Sequence, residues 1–231
     1  MANQHLSTIP IWDAIKGNTE CPLCYIKEHS EAQYVDNFLG GSVMEPAVRI
    51  EVNEKGFCQR HFEMLFEAKN RLSLALMEHT YLLACIKKLE SSAPGKKKLL
   101  AREAEKHPHE GLTESCILCD RLNDTMWRYA LTVVHMWKSE PPFVQALLSG
   151  KGFCLPHFFE MLRAAQHELH GVALAQFQQQ ITDLELDNLR RTAKDIEWFT
   201  LKFDYRNQDK PWGTSEDAVE RTINKLRGIT L

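Results

Sequence analysis

Two short cysteine patterns occur twice, in the same order, and they constrain the fold more than any other feature. Cys21-Pro22-Leu23-Cys24 is followed by Lys55-Gly56-Phe57-Cys58-Gln59-Arg60-His61-Phe62. Cys116-Ile117-Leu118-Cys119 is followed by Lys151-Gly152-Phe153-Cys154-Leu155-Pro156-His157-Phe158. The CxxC segments and the Tyr34/Tyr129 and Glu45-Pro46/Glu140-Pro141 pairs align at one constant offset. The Lys-Gly-Phe-Cys segments align with one residue more, a single insertion beside Pro142. Chance can produce the cysteines but not the tyrosine, Glu-Pro and Lys-Gly-Phe in register as well. The chain is read as an internal duplication.

Each repeat supplies Cys-x2-Cys and then Cys-x2-His, three thiols and one imidazole. This donor set suits a tetrahedral zinc ion. The candidate ligands are Cys21, Cys24, Cys58 and His61 in the first repeat, and Cys116, Cys119, Cys154 and His157 in the second. The expectation is two Zn²⁺ per chain, one per repeat. Two alternatives stand beside it: ligands from both repeats sharing one site, and an iron–sulfur cluster, since thiolates serve both metals. Pro22 and Pro156 suit the first turn of a helix, which puts Cys21 and Cys154 at N-caps. Ile117 replaces Pro22 in the second repeat and weakens that argument there. Two helix N-termini facing one ion would stabilise the net negative charge of three thiolates on Zn²⁺. Gly56 and Gly152 allow a tight turn into the ligand, and Lys55 and Lys151 would add positive charge. Four protein ligands close the tetrahedron, so the metal role is read as structural rather than catalytic.

The secondary structure reads as helical throughout. A short helix follows Thr8, a second covers 22–38 and stops at Gly40-Gly41, and Pro46 opens a third, shorter one. A long helix follows Cys58, with Phe62, Leu65, Phe66, Leu72, Leu76, Leu83, Ile86 and Leu89 at helical spacing. The second repeat copies this plan, with a helix from Pro156 running beyond residue 180. Residues 181–206 continue the helical pattern. Trp198, Phe203 and Trp212 are expected to clamp onto the bundle. Thr214 and Asp217 form a capping-box pattern for a last helix to about Arg227, stopped by Gly228. The fold class expected is all-α: duplicated three-helix metal-binding units forming a bundle, with a C-terminal helical extension. The boundaries are 1–90 for the first repeat, 91–113 for a linker, 114–186 for the second repeat and 187–231 for the C-terminal clamp. Lys96-Lys97-Lys98 in the linker reads as a solvated charge run.

Composition narrows the function classes. With 28 Lys+Arg against 31 Asp+Glu the formal charge is −3, which gives no global attraction to a phosphate backbone, so nucleic acid is disfavoured as a partner. No apolar run approaches the roughly 20 residues of a membrane span. The N-terminus lacks a secretory pattern, and seven cysteines are an odd number for a closed disulfide framework. A cytoplasmic location is expected, where thiols stay reduced. Cys85 has no counterpart in the second repeat and reads as packing. A thioredoxin-like pair lacks its βαβ context. His29, His79, His135, His167 and His170 carry no partner motif, and His107 and His109 read as solvated loop. No nucleotide loop, Gly-x-Ser-x-Gly, His-Glu-x2-His or catalytic dyad is present, so the reading leans away from an enzyme. The function expected is a non-enzymatic zinc-binding scaffold or interaction protein, with a protein partner or self-association. An iron–sulfur or thiol-based redox or metal-sensing protein is the alternative.

The twin Cys-Pro-Leu-Cys and Gly-Phe-Cys-x2-His-Phe motifs, with the tail Trp198-Phe199…Lys202-Phe203-Asp204-Tyr205-Arg206-Asn207…Pro211-Trp212-Gly213, resemble an uncharacterised bacterial family carried as a domain of unknown function, mainly in Gram-positive anaerobes and relatives. The resemblance spans nearly the whole chain. It implies a cytosolic bacterial protein and supplies no activity.

Overall fold

The computed structural model describes residues 8–92 and 113–229. Most of the expected linker, with its lysine run, His107 and His109, lies outside the described residues. The described residues are helical, with no strand among them: α1 Ile9–Lys16, α2 Pro22–Leu39, α3 Pro46–Lys55, α4 Gln59–Glu67, α5 Arg71–Ser92, α6 Ile117–Ser139, α7 Pro141–Leu148, α8 Leu155–Glu168, α9 Gly171–Leu201 and α10 Ala218–Arg227. None is long and apolar enough to cross a membrane. Proline sits in the first turn of five of these helices: Pro10, Pro22, Pro46, Pro141 and Pro156 in α1, α2, α3, α7 and α8.

The chain forms two compact units that interleave the repeats. One comprises Met1–Glu28 and Thr125–Leu231, the other His29–Asp124. In the first, α8 and α10 pack on α9. Its core holds Leu23, Phe143, Phe153, Met161, Phe177 and Ile181, all fully buried. Trp137 stacks edge-on against Phe177 at 5.1 Å and donates its indole N–H to Gln180, which fixes α6 on α9. In the second unit α3 packs on α5, around Phe38, Val52, Leu65, Leu74, Met77 and Leu118.

The long helix expected after Cys58 is two helices. Lys69 takes a left-handed φ of 66°. Asn70 then caps α5: its Oδ1 accepts from the Ser73 N–H at 3.3 Å, and its Nδ2 donates to the Leu39 carbonyl at 2.8 Å. The break resets the helical phase. Leu65 stays buried, but Leu72 is 73 % exposed, and Leu83, Ile86 and Leu89 face solvent. The buried face of α5 is Leu74 and Met77 instead. A periodicity summed across an unseen break assigns the wrong face. The second repeat shows the same correction: Leu169 and His170 are extended, separating α8 from α9.

The tail also differs in detail. Phe199, Phe203 and Trp212 pack mainly on one another, with centroids 5.5–6.4 Å apart, and Phe203 is 73 % exposed. The capping box does not form. Thr214 donates to Asp195, and Asp217 receives Arg221, each at 2.8 Å. The element that docks is α10, whose Arg221 binds Asp195 of α9 at 2.8 Å and whose Ala218 and Lys225 are buried.

Candidate metal centres

All eight expected ligands fall into two clusters, but the grouping by repeat is exchanged. The first centre joins Cys21 and Cys24 of the first repeat to Cys154 and His157 of the second. The second joins Cys58 and His61 to Cys116 and Cys119. The shared-ligand arrangement is therefore the one found, realised twice. Its cause is the interleaving of the two units: each gathers one CxxC segment and the CxxH segment of the other repeat.

Each ligand pair opens a helix. Cys154 and Cys58 are the N-caps of α8 and α4. Cys21 and Cys116 immediately precede α2 and α6. Helix α6 starts at Ile117 without the proline that opens α2. Each centre thus faces two helix N-termini, whose free N–H groups favour thiolate. One such bond runs from the Cys24 N–H to Cys21 Sγ at 3.4 Å.

The edges of both clusters match one tetrahedral ion. Bonds of about 2.3 Å to sulfur and about 2.05 Å to nitrogen place S···S edges near ~3.8 Å and S···N edges near ~3.5 Å. In the first centre Cys24 and Cys154 are 3.5 Å apart, and His157 Nδ1 lies 3.4, 3.4 and 3.2 Å from Cys21, Cys24 and Cys154. In the second, Cys58 and Cys119 are 3.8 Å apart, and His61 Nδ1 lies 3.2, 3.2 and 3.4 Å from Cys58, Cys116 and Cys119. The donor sets could hold a metal.

Electrostatics point the same way. Hydrogen bonds from Cys21 and Cys24 hold the Cys154 thiol down at about 4 against its burial. Bonds to Cys154 and Cys21, then burial, push Cys24 far up. Burial would raise Cys116, but His61 and the Cys119 and Cys58 backbone bring it to about 6. Burial and the bond to Cys116 push Cys119 up to about 12. In each cluster one thiol ionises at the expense of another, because like charges this close cannot coexist without a cation. A bound divalent ion removes that conflict.

Histidine orientation is handled differently in the two centres. His61 Nε2 bonds Glu31 Oε1 at 3.1 Å, and Arg60 holds the other oxygen at 2.5 Å. A buried carboxylate behind a ligating imidazole fixes its tautomer and raises its basicity. Burial lowers the His61 pKa, but Cys116 and Glu31 outweigh it and bring it up to about 10. In the second repeat Met126 stands where Glu31 does, and among the described residues the carboxylate nearest His157 Nε2 is Glu160 of its own helix, at 3.9 Å.

The glycines act as expected and the lysines do not. Gly56 and Gly152 have φ of 65° and 73°. A Cβ on Gly56 would run into the Tyr81 ring, and one on Gly152 would lie 2.6 Å from Glu185 Oε2. Gly56→Ala is expected to destabilise by about 1–3 kcal/mol through left-handed strain and this clash. Urea unfolding monitored by circular dichroism checks it, and an unchanged midpoint would refute the account. Lys55 is engaged by Asp120 at 2.5 Å and Lys151 by Glu20 at 3.7 Å, so neither is a free charge for the thiolates.

Sequence reasoning missed Glu31, Lys225 and Gly228. In the second unit the Ile117 N–H donates to the Gly56 carbonyl at 3.1 Å and the Ser115 hydroxyl to the Lys55 carbonyl at 2.8 Å, tying the two ligand loops together. At the matching positions of the first unit stand Pro22, which has no N–H, and Glu20. The Lys225 ammonium takes over. It donates to the carbonyls of Glu20 at 2.8 Å, Phe153 at 3.0 Å and Lys151. Gly228 then caps α10 in the left-handed conformation directly against the sulfurs: a Cβ there would lie 2.9 Å from Cys154 Sγ. Only the helix stop at Gly228 was visible in the sequence. Cys85 joins neither cluster, and His29, His79, His135, His167 and His170 are exposed and outside both.

The chain belongs to a family of unknown function, DUF6062, whose match covers residues 1–231. No curated protein and no solved structure shows detectable similarity to it.

Proposed function

We propose that this member of DUF6062 is a cytoplasmic, non-enzymatic scaffold or interaction protein braced by two structural zinc ions. The observation that carries the reading is the closed tetrahedral donor set, found twice. Three sulfurs and one Nδ1 at edge lengths of 3.2–3.8 Å leave a bound ion no position for water or substrate. Burial supports a structural role, since Cys21, Cys24, Cys116, Cys154, His61 and His157 are all buried. A site that joins helix starts distant in sequence contributes folding free energy rather than chemistry. The partner expected is another protein or a second copy of the chain.

The second reading is an iron–sulfur or thiol-based redox or metal-sensing protein. The donor atoms of each centre lie within 4.8 Å of one another. That spacing favours a single ion over a cluster, whose ligands sit on different irons. Thiol chemistry stays open to the partly exposed Cys58 and Cys119.

Elemental analysis of protein purified without a metal-affinity tag, aerobically and anaerobically, is the test. The expected result is about two zinc per chain and no visible absorption. Iron with a charge-transfer band would select the second reading. A metal-free chain whose stability a chelator leaves unchanged would refute both metal readings.

A further inference from the structure

The two centres share a donor set but differ in cover. In the first, Cys21, Cys24, Cys154 and His157 are 1, 5, 0 and 8 % exposed. Helix α10 closes over them: Gly228 lies against Cys154 and Cys24, and its carbonyl is 3.7 Å from Cys24 Sγ. A cavity of about 200 Å³ is lined by Cys21 and Cys24, yet they keep almost no accessible surface. In the second centre His61 and Cys116 are buried, whereas Cys58 and Cys119 are only partly so. Those two sulfurs are neighbours at 3.8 Å.

The geometry points to the Cys58–Cys119 edge as a thiol oxidation site for small two-electron oxidants of the peroxide class, one that opens the second centre and leaves the first closed. The inference rests on the metal reading above and adds a chemistry to one of its two centres. A metal-bound thiol is deprotonated, and an accessible thiolate beside a second thiolate is the arrangement that peroxide oxidises to a disulfide. One thiolate attacks the peroxide O–O bond, giving a sulfenic acid and hydroxide. The other thiolate attacks the sulfenic sulfur, forms the S–S bond and expels a second hydroxide. Two sulfurs lose two electrons in total and one peroxide gains them. The sulfurs close from 3.8 Å to about 2.05 Å. His61 and Cys116 alone are then too few to hold a tetrahedral ion, and it leaves.

The test uses the full, metal-loaded chain in a Cys85→Ser background, because Cys85 is a partly exposed thiol outside both clusters. One equivalent of hydrogen peroxide is added, released metal is followed with a chromogenic chelator, and thiols are then alkylated under denaturing conditions and mapped. The expected result is one ion released per chain, a Cys58–Cys119 disulfide, and Cys21, Cys24 and Cys154 recovered as alkylated thiols. Release from the second centre is expected to be at least about ten-fold faster than from the first, which requires local opening of α10. Parallel loss of both ions, earlier loss from the first centre, a disulfide elsewhere, or no release would each overturn the inference. A chain that holds no metal before peroxide is added refutes the metal reading instead. The peptide map then decides the thiol site alone: Cys58–Cys119 forming first supports it, and a linkage among Cys21, Cys24 and Cys154 forming first overturns it.

Discussion

The double variant Cys21→Ser/Cys154→Ser is expected to retain about one metal ion per chain, whereas Cys21→Ser/Cys58→Ser is expected to retain none. The first pair removes two ligands from one centre, although they lie in different repeats. The second removes one ligand from each centre, although they lie in the same repeat. Grouping by repeat would give the opposite result, so metal analysis of these two variants decides the exchanged arrangement. The stability effects should be large. A structural zinc contributes on the order of 10–16 kcal/mol to folding of its site, comparable to the whole 5–15 kcal/mol stability of a typical domain. Loss of one centre should therefore unfold one unit while the other keeps its helices. Circular dichroism would show partial loss of helix in Cys21→Ser/Cys154→Ser and near-complete loss in Cys21→Ser/Cys58→Ser. Two variants with identical metal content and identical melting would contradict both the pairing and the independence of the centres.

The eight candidate ligands were legible because the duplication repeats them in register, and their placement at helix starts followed from Pro22 and Pro156. The pairing between them was not legible. Local spacing brings Cys21 to Cys24 and Cys154 to His157, but which pair meets which is decided by long-range packing, and both groupings satisfy the same local rules. The break at Lys69–Asn70 was hidden for a related reason. Asn70 is a favoured N-cap type, but asparagine is also tolerated inside helices, and its bonds to Ser73 and the Leu39 carbonyl are what make it a cap here. The burial pattern of α5 then shifts, which is why Leu72 and Leu83 look like core and lie in solvent. Glu31 was invisible because a carboxylate behind a histidine has no fixed spacing from it. Lys225 was hidden by its type, since lysine almost never lies in a core unless it is paired.

Lys225→Met should be the most damaging single change outside the ligands, and it should damage one centre only. The ammonium is 1 % exposed and donates to three backbone carbonyls at the ligand loops of the first centre. Burial depresses its pKa, while the carboxylates of Glu185 and Glu20 oppose that shift. Methionine fills much of the same space, but it strands the carbonyls of Glu20, Lys151 and Phe153. It also removes the cation that favours the Glu185 carboxylate, whose own burial pushes its pKa up. Removing one partner of a buried charge network costs about 3–5 kcal/mol, and each kcal/mol lowers the melting temperature of a chain this size by about 2–4 °C. Ser115 ties the equivalent loops of the second unit through a neutral bond to the Lys55 carbonyl. Ser115→Ala should therefore cost only about 1 kcal/mol, because the Ile117 N–H still holds the Gly56 carbonyl. Chelator competition separates the two variants. Lys225→Met should speed metal loss from the Cys21–Cys24–Cys154–His157 centre and leave the other unchanged. If both centres lost metal faster, or neither did, Lys225 would be a general core residue rather than the tie between the ligand loops of the first centre.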